Sequence, residues 1–507
     1  MAFMNAIRNE LNNETKLTEN GAVGYRTTGK KLLDLNFSVA SLRGASEQEI
    51  INKFMDAYWE DPVVAIKWLF YTRDCREGLG ERRLFRIVIK HLAQEKPEVI
   101  KAVFSFAPIY GRYDDLWCLL DTELKQGVIF VVKAQLSEDI TNMRSNKSIS
   151  LLCKWLPSEN ASSKETKRYA GIIRKGLDMT SRNYRKMLSE MRKYIEVVEC
   201  KMSAKQWNEI DYEDVPSRAN LIYNNAFLRN DEERRRAYLG ALEKGEAKIN
   251  AGTLFPHDII HKYTSAGWYS RLGNYDAALE GMWKALPNTV KGNGNTLVVA
   301  DGSGSMTCNV GGKTSVTALD VANALAIYFA ERASGEFKDK YITFSHRPQL
   351  VDFSNAKSLH DKIGIALRHN EVADTNIEAT FDLILQTAVN NHMSQEDMPK
   401  NVLIISDMEF NSAVGWNRPN ATLFDTIAKK YATHGYKLPR LVFWNVNSRT
   451  GTIPVKENDL GVALVSGFSV NIVNMVMSNK LDPYECLLDV LNVERYQAIE
   501  DAIKGIC

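Results

Sequence analysis

The hydrophobic period of this chain changes once, at Pro287-Asn-Thr-Val-Lys-Gly-Asn-Gly-Asn295, its densest run of turn-forming residues. Before that run apolar residues recur at helical spacing. Ile50, Ile51, Phe54, Met55 and Tyr58 fall on one face of a helix that Ser46 and Glu49 open as a capping box. Ser162 with Glu165 and Ser203 with Gln206 repeat the signature, and Pro62 and Pro216 suit first-turn positions. Roughly ten to thirteen helices joined by short loops are predicted between residues 46 and 286, as in stacked antiparallel helices of the α-solenoid kind. After the run, short apolar segments at 296–300, 341–344, 349–353, 401–406, 440–446 and 461–465 read as strands. Helical stretches near 317–333, 376–391, 421–434 and 469–478 alternate with them, which predicts a doubly wound, Rossmann-like, mostly parallel sheet. The expected class is therefore α + α/β. An N-terminal arm occupies 1–45, an α-helical HEAT-like solenoid 46–286, a linker 287–295 and an α/β domain 296–507.

At 507 residues the chain has the length of about three domains. Its 45% hydrophobic and 25% charged residues exclude collagen, a disordered tail and a membrane bundle. The first twenty residues hold no apolar run for a secretory signal, and no stretch of 18 uncharged apolar residues occurs. Seven cysteines without a CxxC pair fit reduced thiols. A soluble cytoplasmic protein is expected, with no membrane partner. Its charge is divided: up to Gly294 there are 45 Lys+Arg against 38 Asp+Glu, and beyond it 19 against 24, so +7 and −5 make the net +2. That asymmetry makes the helical half the candidate for a polyanion.

Directly after the first predicted strand stands Asp301-Gly-Ser-Gly-Ser-Met306, a D-x-S-x-S sequence entering a helix. Asp301, Ser303 and Ser305 offer a carboxylate and two hydroxyls, and the glycines let the loop turn alternate residues toward one point. Hard oxygen donors of low charge suit Mg²⁺ or another divalent cation. Asp407 ends the strand at 402–406 and so lands on the same sheet edge, while Asp374-Thr375-Asn376 precedes a helix and brings a third hydroxyl.

At these residues the chain resembles a von Willebrand factor type A domain with its metal-ion-dependent adhesion site. The resemblance covers about 295–507. It implies that Asp301, Ser303, Ser305, Thr375 and Asp407 form the site, the hydroxyls bound directly and the aspartates largely through water. One coordination position stays open for an acidic side chain of a protein partner. Such a site binds and does not catalyse, so no enzyme activity is implied. The family's threonine usually follows a glycine; here Asp374 precedes Thr375, and Thr380 is the alternative. The helical half, at Trp68–Phe85, Tyr110–Trp117, Lys154–Asn160 and Lys201–Ala219, resembles a family of bacterial, phage and plant proteins that join a helical domain to an A-type domain. More distantly the architecture resembles the Ro (TROVE) ribonucleoproteins, which implies RNA as a ligand.

Residues 161–193 support that implication on their own, with ten basic residues against three acids. They are Lys164, Lys167, Arg168, Arg174, Lys175, Arg182, Arg185, Lys186, Arg192 and Lys193, a cluster suited to phosphate neutralisation, with Tyr169 and Tyr184 interleaved for base stacking. A second basic segment, Arg73, Arg76, Arg82, Arg83 and Arg86, is partly balanced by acids. Two further motifs are set aside. Gly24-Tyr-Arg-Thr-Thr-Gly-Lys30 has P-loop spacing but Lys31 stands where Ser or Thr must bind magnesium, and His257-Asp-Ile-Ile-His261 lacks the zincin glutamate. The expected function is a non-enzymatic RNA-binding protein whose A-type domain holds a metal and an acidic partner. The alternatives are a metal-dependent protein assembly scaffold without nucleic acid and, more remotely, a metal-dependent phosphoesterase.

Overall fold

The computed structural model describes residues 15–264, 272–290, 295–311, 314–344, 347–371, 375–411, 423–454, 462–472 and 482–506. Contact density divides the chain into two compact units, residues 1–60 with 254–492, and 61–253 with 493–507.

The first unit is built on strands. β1 (Thr15–Leu17) and β2 (Val23–Tyr25) form an antiparallel hairpin. β3 (Thr296–Asp301), β4 (Lys340–Phe344), β5 (Gln349–Asp352), β6 (Asn401–Ser406), β7 (Arg440–Asn445) and β8 (Val462–Ser466) form one sheet in the order β5-β4-β3-β6-β7-β8. Only the β4–β5 pair is antiparallel. β3, β6, β7 and β8 are nearly continuous apolar runs, as strands covered on both faces must be. The crossover helix Ala318–Arg332 is buried from Ala318 to Ala330, because it packs on the sheet and also against the helix Pro256–Tyr263. The six strands and the helices 318–332, 377–390 and 423–433 fall within one or two residues of their predicted bounds. Of the helix predicted near 469–478 the described part is a single turn, Val470–Ile472, and the rest lies outside the described residues.

Contacts group the chain differently from the sequence boundaries. The segment read as an arm folds within the sheet unit: Leu32, Leu33, Leu35 and Phe37 of the helix Lys31–Phe37 are buried, and the Asn445 side chain donates to the Phe37 carbonyl. The helices Pro256–Tyr263 and Ala277–Lys284 also belong to it, so the turn run at 287–295 falls inside a unit. Helical periodicity shows that a face is covered, not which neighbour covers it.

The second unit is helical. Asp61 caps the helix Pro62–Arg73 and accepts from the Val64 amide. Ser203, expected to open a helix, ends one instead: its hydroxyl donates back to the Glu199 carbonyl at the close of Val198–Ser203. The helix Gln497–Ile503 packs on the helices Pro62–Arg73 and Pro97–Val103. Beside it the fully buried Asp74 accepts from Arg495 and, at 3.0 Å, from the Tyr496 hydroxyl, while Tyr496 stacks on Tyr110. Arg495→Ala strips that carboxylate of its cation and is expected to cost about 3 kcal/mol in urea denaturation.

Candidate functional site

Between β3 and β6 the winding of the sheet reverses, β3 leading to β4 on one side and β6 to β7 on the other. The loops after these strands diverge and open a crevice at their carboxyl ends. Both aspartates stand at this edge. Asp301 ends β3, and Asp407 follows β6, with Ala300 in register with Ile405. The loop after Asp301 turns where only glycine fits, since a Cβ on Gly302 would lie 2.9 Å from Thr343 Oγ1. Asp301 Oδ1 accepts from the Ser303 amide at 2.9 Å and Oδ2 from the Ser406 hydroxyl at 2.6 Å. Ser303 and Ser305 hydroxyls stand 3.0 Å apart.

Asp301 and Asp407 are at most 1% exposed. Burial, and then the charge of Asp301, push the Asp407 carboxyl up to about 7, against the Ser305 hydroxyl and Arg449; burial raises Asp301 as well. Two carboxylates facing one buried point repel, and the nearby cation is Arg449, whose guanidinium nitrogen lies 3.4 Å from Asp407 Oδ2. The remaining donors are uncharged hydroxyls, so a divalent cation fits the charge and the donor set. Among the described residues no group of three or more His, Cys, Asp and Glu is placed to hold a metal, so any cation here depends on those hydroxyls.

Thr375 precedes the helix Ile377–Asn390 and is tied to the segment after Asp407, its carbonyl accepting from the Asn411 amide at 3.0 Å. Thr380 is buried within that helix, its hydroxyl without a partner among the described residues. Asp374 lies outside the described residues. Four residues at this edge escaped the sequence reading. Glu409, fully buried, accepts from the amides of Arg449, Thr450 and Glu19 at 2.8 to 2.9 Å. Glu19 and Asn20, at the tip of the β1–β2 hairpin, meet Arg449 and Thr375 respectively. Asp407-Met-Glu409 at a strand end was a usable signal for Glu409; Arg449, Glu19 and Asn20 are brought in by tertiary structure.

The basic cluster occupies the helices Lys164–Gly176 and Ser181–Tyr194, capped by Ser163 and Thr180. Lys164, Lys167, Lys175, Arg182, Arg185, Lys186 and Lys193 are exposed. Three other members are committed within the unit: Arg168 pairs with Asp121, Arg174 with Glu159, and Arg192 donates to the carbonyls of Cys153 and Leu156. Tyr184 corrects the stacking expectation. It is fully buried and donates to the Pro157 carbonyl, while the Tyr169 hydroxyl donates to Asp121 and carries Arg168 over its ring. In the second basic segment, Arg73 and Arg86 are held by Asp115 at 2.7 and 2.8 Å.

The two motifs set aside have structural roles. In the P-loop-like segment the Thr28 amide and hydroxyl bond to Asp34 at 2.7 Å. His257 stacks on Phe255, whereas His261 bridges Asp320 Oδ2 at 2.9 Å and the Ser315 hydroxyl at 2.8 Å. Ser, His and Asp in that sequence of contacts can form a nucleophilic relay. Here Asp320 also accepts from the Thr317 amide and the Thr264 hydroxyl, so it fastens the helix Pro256–Tyr263 to the start of Ala318–Arg332. Burial acts to raise the Asp320 carboxyl, but the hydrogen bonds from His261, Thr317 and Thr264 outweigh it and hold the group below its ordinary value. The contribution is therefore complete above the ordinary aspartate range and is lost as pH falls through the lowered value. His261→Ala is expected to cost about 1 to 3 kcal/mol at neutral pH, with the deficit shrinking in acid denaturation series.

A family model described as a domain of unknown function, DUF2828, matches residues 18–106 and 129–296, just over half of the chain. The chain belongs to the DUF2828 family. A second model, the domain of unknown function DUF7788, matches 295–500, the segment that holds the sheet and both aspartates. An uncharacterized protein of Acanthamoeba polyphaga mimivirus is 29% identical over 514 residues, covering 94% of this chain and 86% of the relative. The crystal structure of the Deinococcus radiodurans Ro (RSR) protein is similar at 12% identity and a TM-score of 0.34, over 89% of this chain and 92% of that one. Among the described residues no helix is long and apolar enough to cross a membrane.

Proposed function

We propose that the sheet-bearing unit contains a von Willebrand factor type A domain that holds Mg²⁺ and presents it to an acidic group of a partner protein. The observation that carries this reading is the buried pair Asp301 and Asp407 at the switch point, with Ser303 and Ser305 beside them. Asp301, Ser303, Ser305, Thr375 and Asp407 would hold the ion. Bound there, the metal supplies a positive charge that the two carboxylates do not exhaust, and so attracts a further carboxylate. The chain's own groups prepare this: Ser406 and the Ser303 amide orient Asp301, and Glu409 fixes the loop that carries Arg449. The unit acts as a binding module, with the strand topology and the D-x-S-x-S turn as its support. Titration of magnesium into the chain, with and without Asp301→Ala, tests it. Equal binding by both would sink the assignment.

A second function, RNA binding by the helical unit, is favoured by a separate observation. Lys164, Lys167, Lys175, Arg182, Arg185, Lys186 and Lys193 are exposed on two consecutive helices, whereas Arg73 and Arg86 of the second basic segment are spent on Asp115. Phosphates of a structured RNA match such a face. Should the purified chain carry no RNA yet form an EDTA-sensitive complex with other proteins, the scaffold alternative stands instead.

A further inference from the structure

Two three-residue strands do not make a stable hairpin alone, so β1–β2 must be held by what it docks on. Every anchor is at the sheet edge that bears the aspartates. Tyr25 and Ile453 exchange backbone hydrogen bonds at 2.7 and 2.9 Å, and the Thr18 hydroxyl donates to the Phe410 carbonyl at 2.6 Å. At the tip, the Glu19 amide donates to Glu409, and the Asn20 side chain donates to the Glu409 carbonyl at 2.6 Å and the Thr375 hydroxyl at 3.3 Å. The Glu19 carboxylate then reaches Arg449 at 2.6 Å, on the same guanidinium nitrogen that stands 3.4 Å from Asp407.

We propose that Glu19 is the site's own acidic ligand: the hairpin tip presents its carboxylate to the cation held by Asp301, Ser303, Ser305 and Asp407, and a partner's acidic side chain binds by displacing it. This rests on the metal reading above. One arginine nitrogen shared by Glu19 and Asp407 marks a point of positive charge between the two carboxylates, which is what a bound cation would provide. The Glu19 side chain is half exposed, so its ion pair with Arg449 contributes little to stability and leaves the carboxylate able to exchange partners.

Manganese, a paramagnetic stand-in for magnesium, reads this directly in the full chain. Water-proton relaxation counts the exchangeable waters on bound Mn²⁺, and a titration gives its affinity. Glu19→Gln is expected to add about one bound water and to weaken Mn²⁺ several-fold, with Glu19→Asp between it and the wild type. If Mn²⁺ binds equally to all three with the same relaxation, Glu19 is no ligand and the metal site stands without it. If none of them binds Mn²⁺, the metal reading itself fails. Should Glu19→Gln fail to fold, hydrogen exchange in the wild type decides: amides 18–22 must gain protection on adding Mn²⁺, and unchanged protection overturns the proposal.

Discussion

Asp301→Ala is expected to abolish saturable magnesium binding, weakening it by at least about 100-fold. The wild type at a hundredfold excess over its dissociation constant gains about 2.7 kcal/mol from the ion, and the variant at the same concentration gains at most about 0.4 kcal/mol. Calorimetric titration and thermal denaturation with and without EDTA check both. The two aspartates separate on stability. Asp301 is hydrogen-bonded by Ser406 and the Ser303 amide, so its loss orphans donors and lowers the melting temperature of the metal-free chain. Asp407 is pushed up by burial and by Asp301, so Asp407→Asn relieves repulsion and is expected to raise the metal-free melting temperature while removing the magnesium gain. An Asp407→Asn chain that still gains stability from magnesium would contradict the assignment. RNA affinity is expected to be unchanged in both variants.

The second large effect concerns the helical unit. Arg182, Arg185 and Lys186 are exposed on one helix, and converting all three to glutamine is expected to lower the salt slope of RNA binding by about two to three. The affinity loss at low salt is on the order of tenfold or more and nearly independent of RNA sequence. Arg192 supplies the control, because it is spent on the Cys153 and Leu156 carbonyls. Arg192→Gln is expected to cost stability and leave the salt slope alone. A triple variant with an unaltered slope would remove these helices from any RNA interface.

The candidate site was legible wherever local chemistry sets the position. A buried apolar strand followed by D-x-S-x-S placed Asp301, Ser303 and Ser305, and a second such strand ending in aspartate placed Asp407 on the same edge. Glu19 and Asn20 were not legible, since they reach the site from about 390 residues away through a hairpin whose strands are too short to show period-two alternation. Charge counting found the basic cluster but could not separate Lys164 or Arg182 from Arg174 and Arg192, because composition does not say which guanidinium meets a carbonyl. The same blindness made Tyr184 a stacking candidate when its ring fills the core.

The helical unit is completed by residues 493–506, among them Arg495, Tyr496 and the helix Gln497–Ile503 packed on Pro62–Arg73. During synthesis residues 61–253 leave the ribosome long before these do. At about 5 to 20 residues per second the wait is roughly 12 to 50 seconds, in which Asp74 has neither of its late partners and the apolar surface meant for Tyr496 and Ile499 stays open. The core of the helical unit thus closes only when the helix Gln497–Ile503 emerges, and residues 254–492 of the sheet-bearing unit are made within that interval.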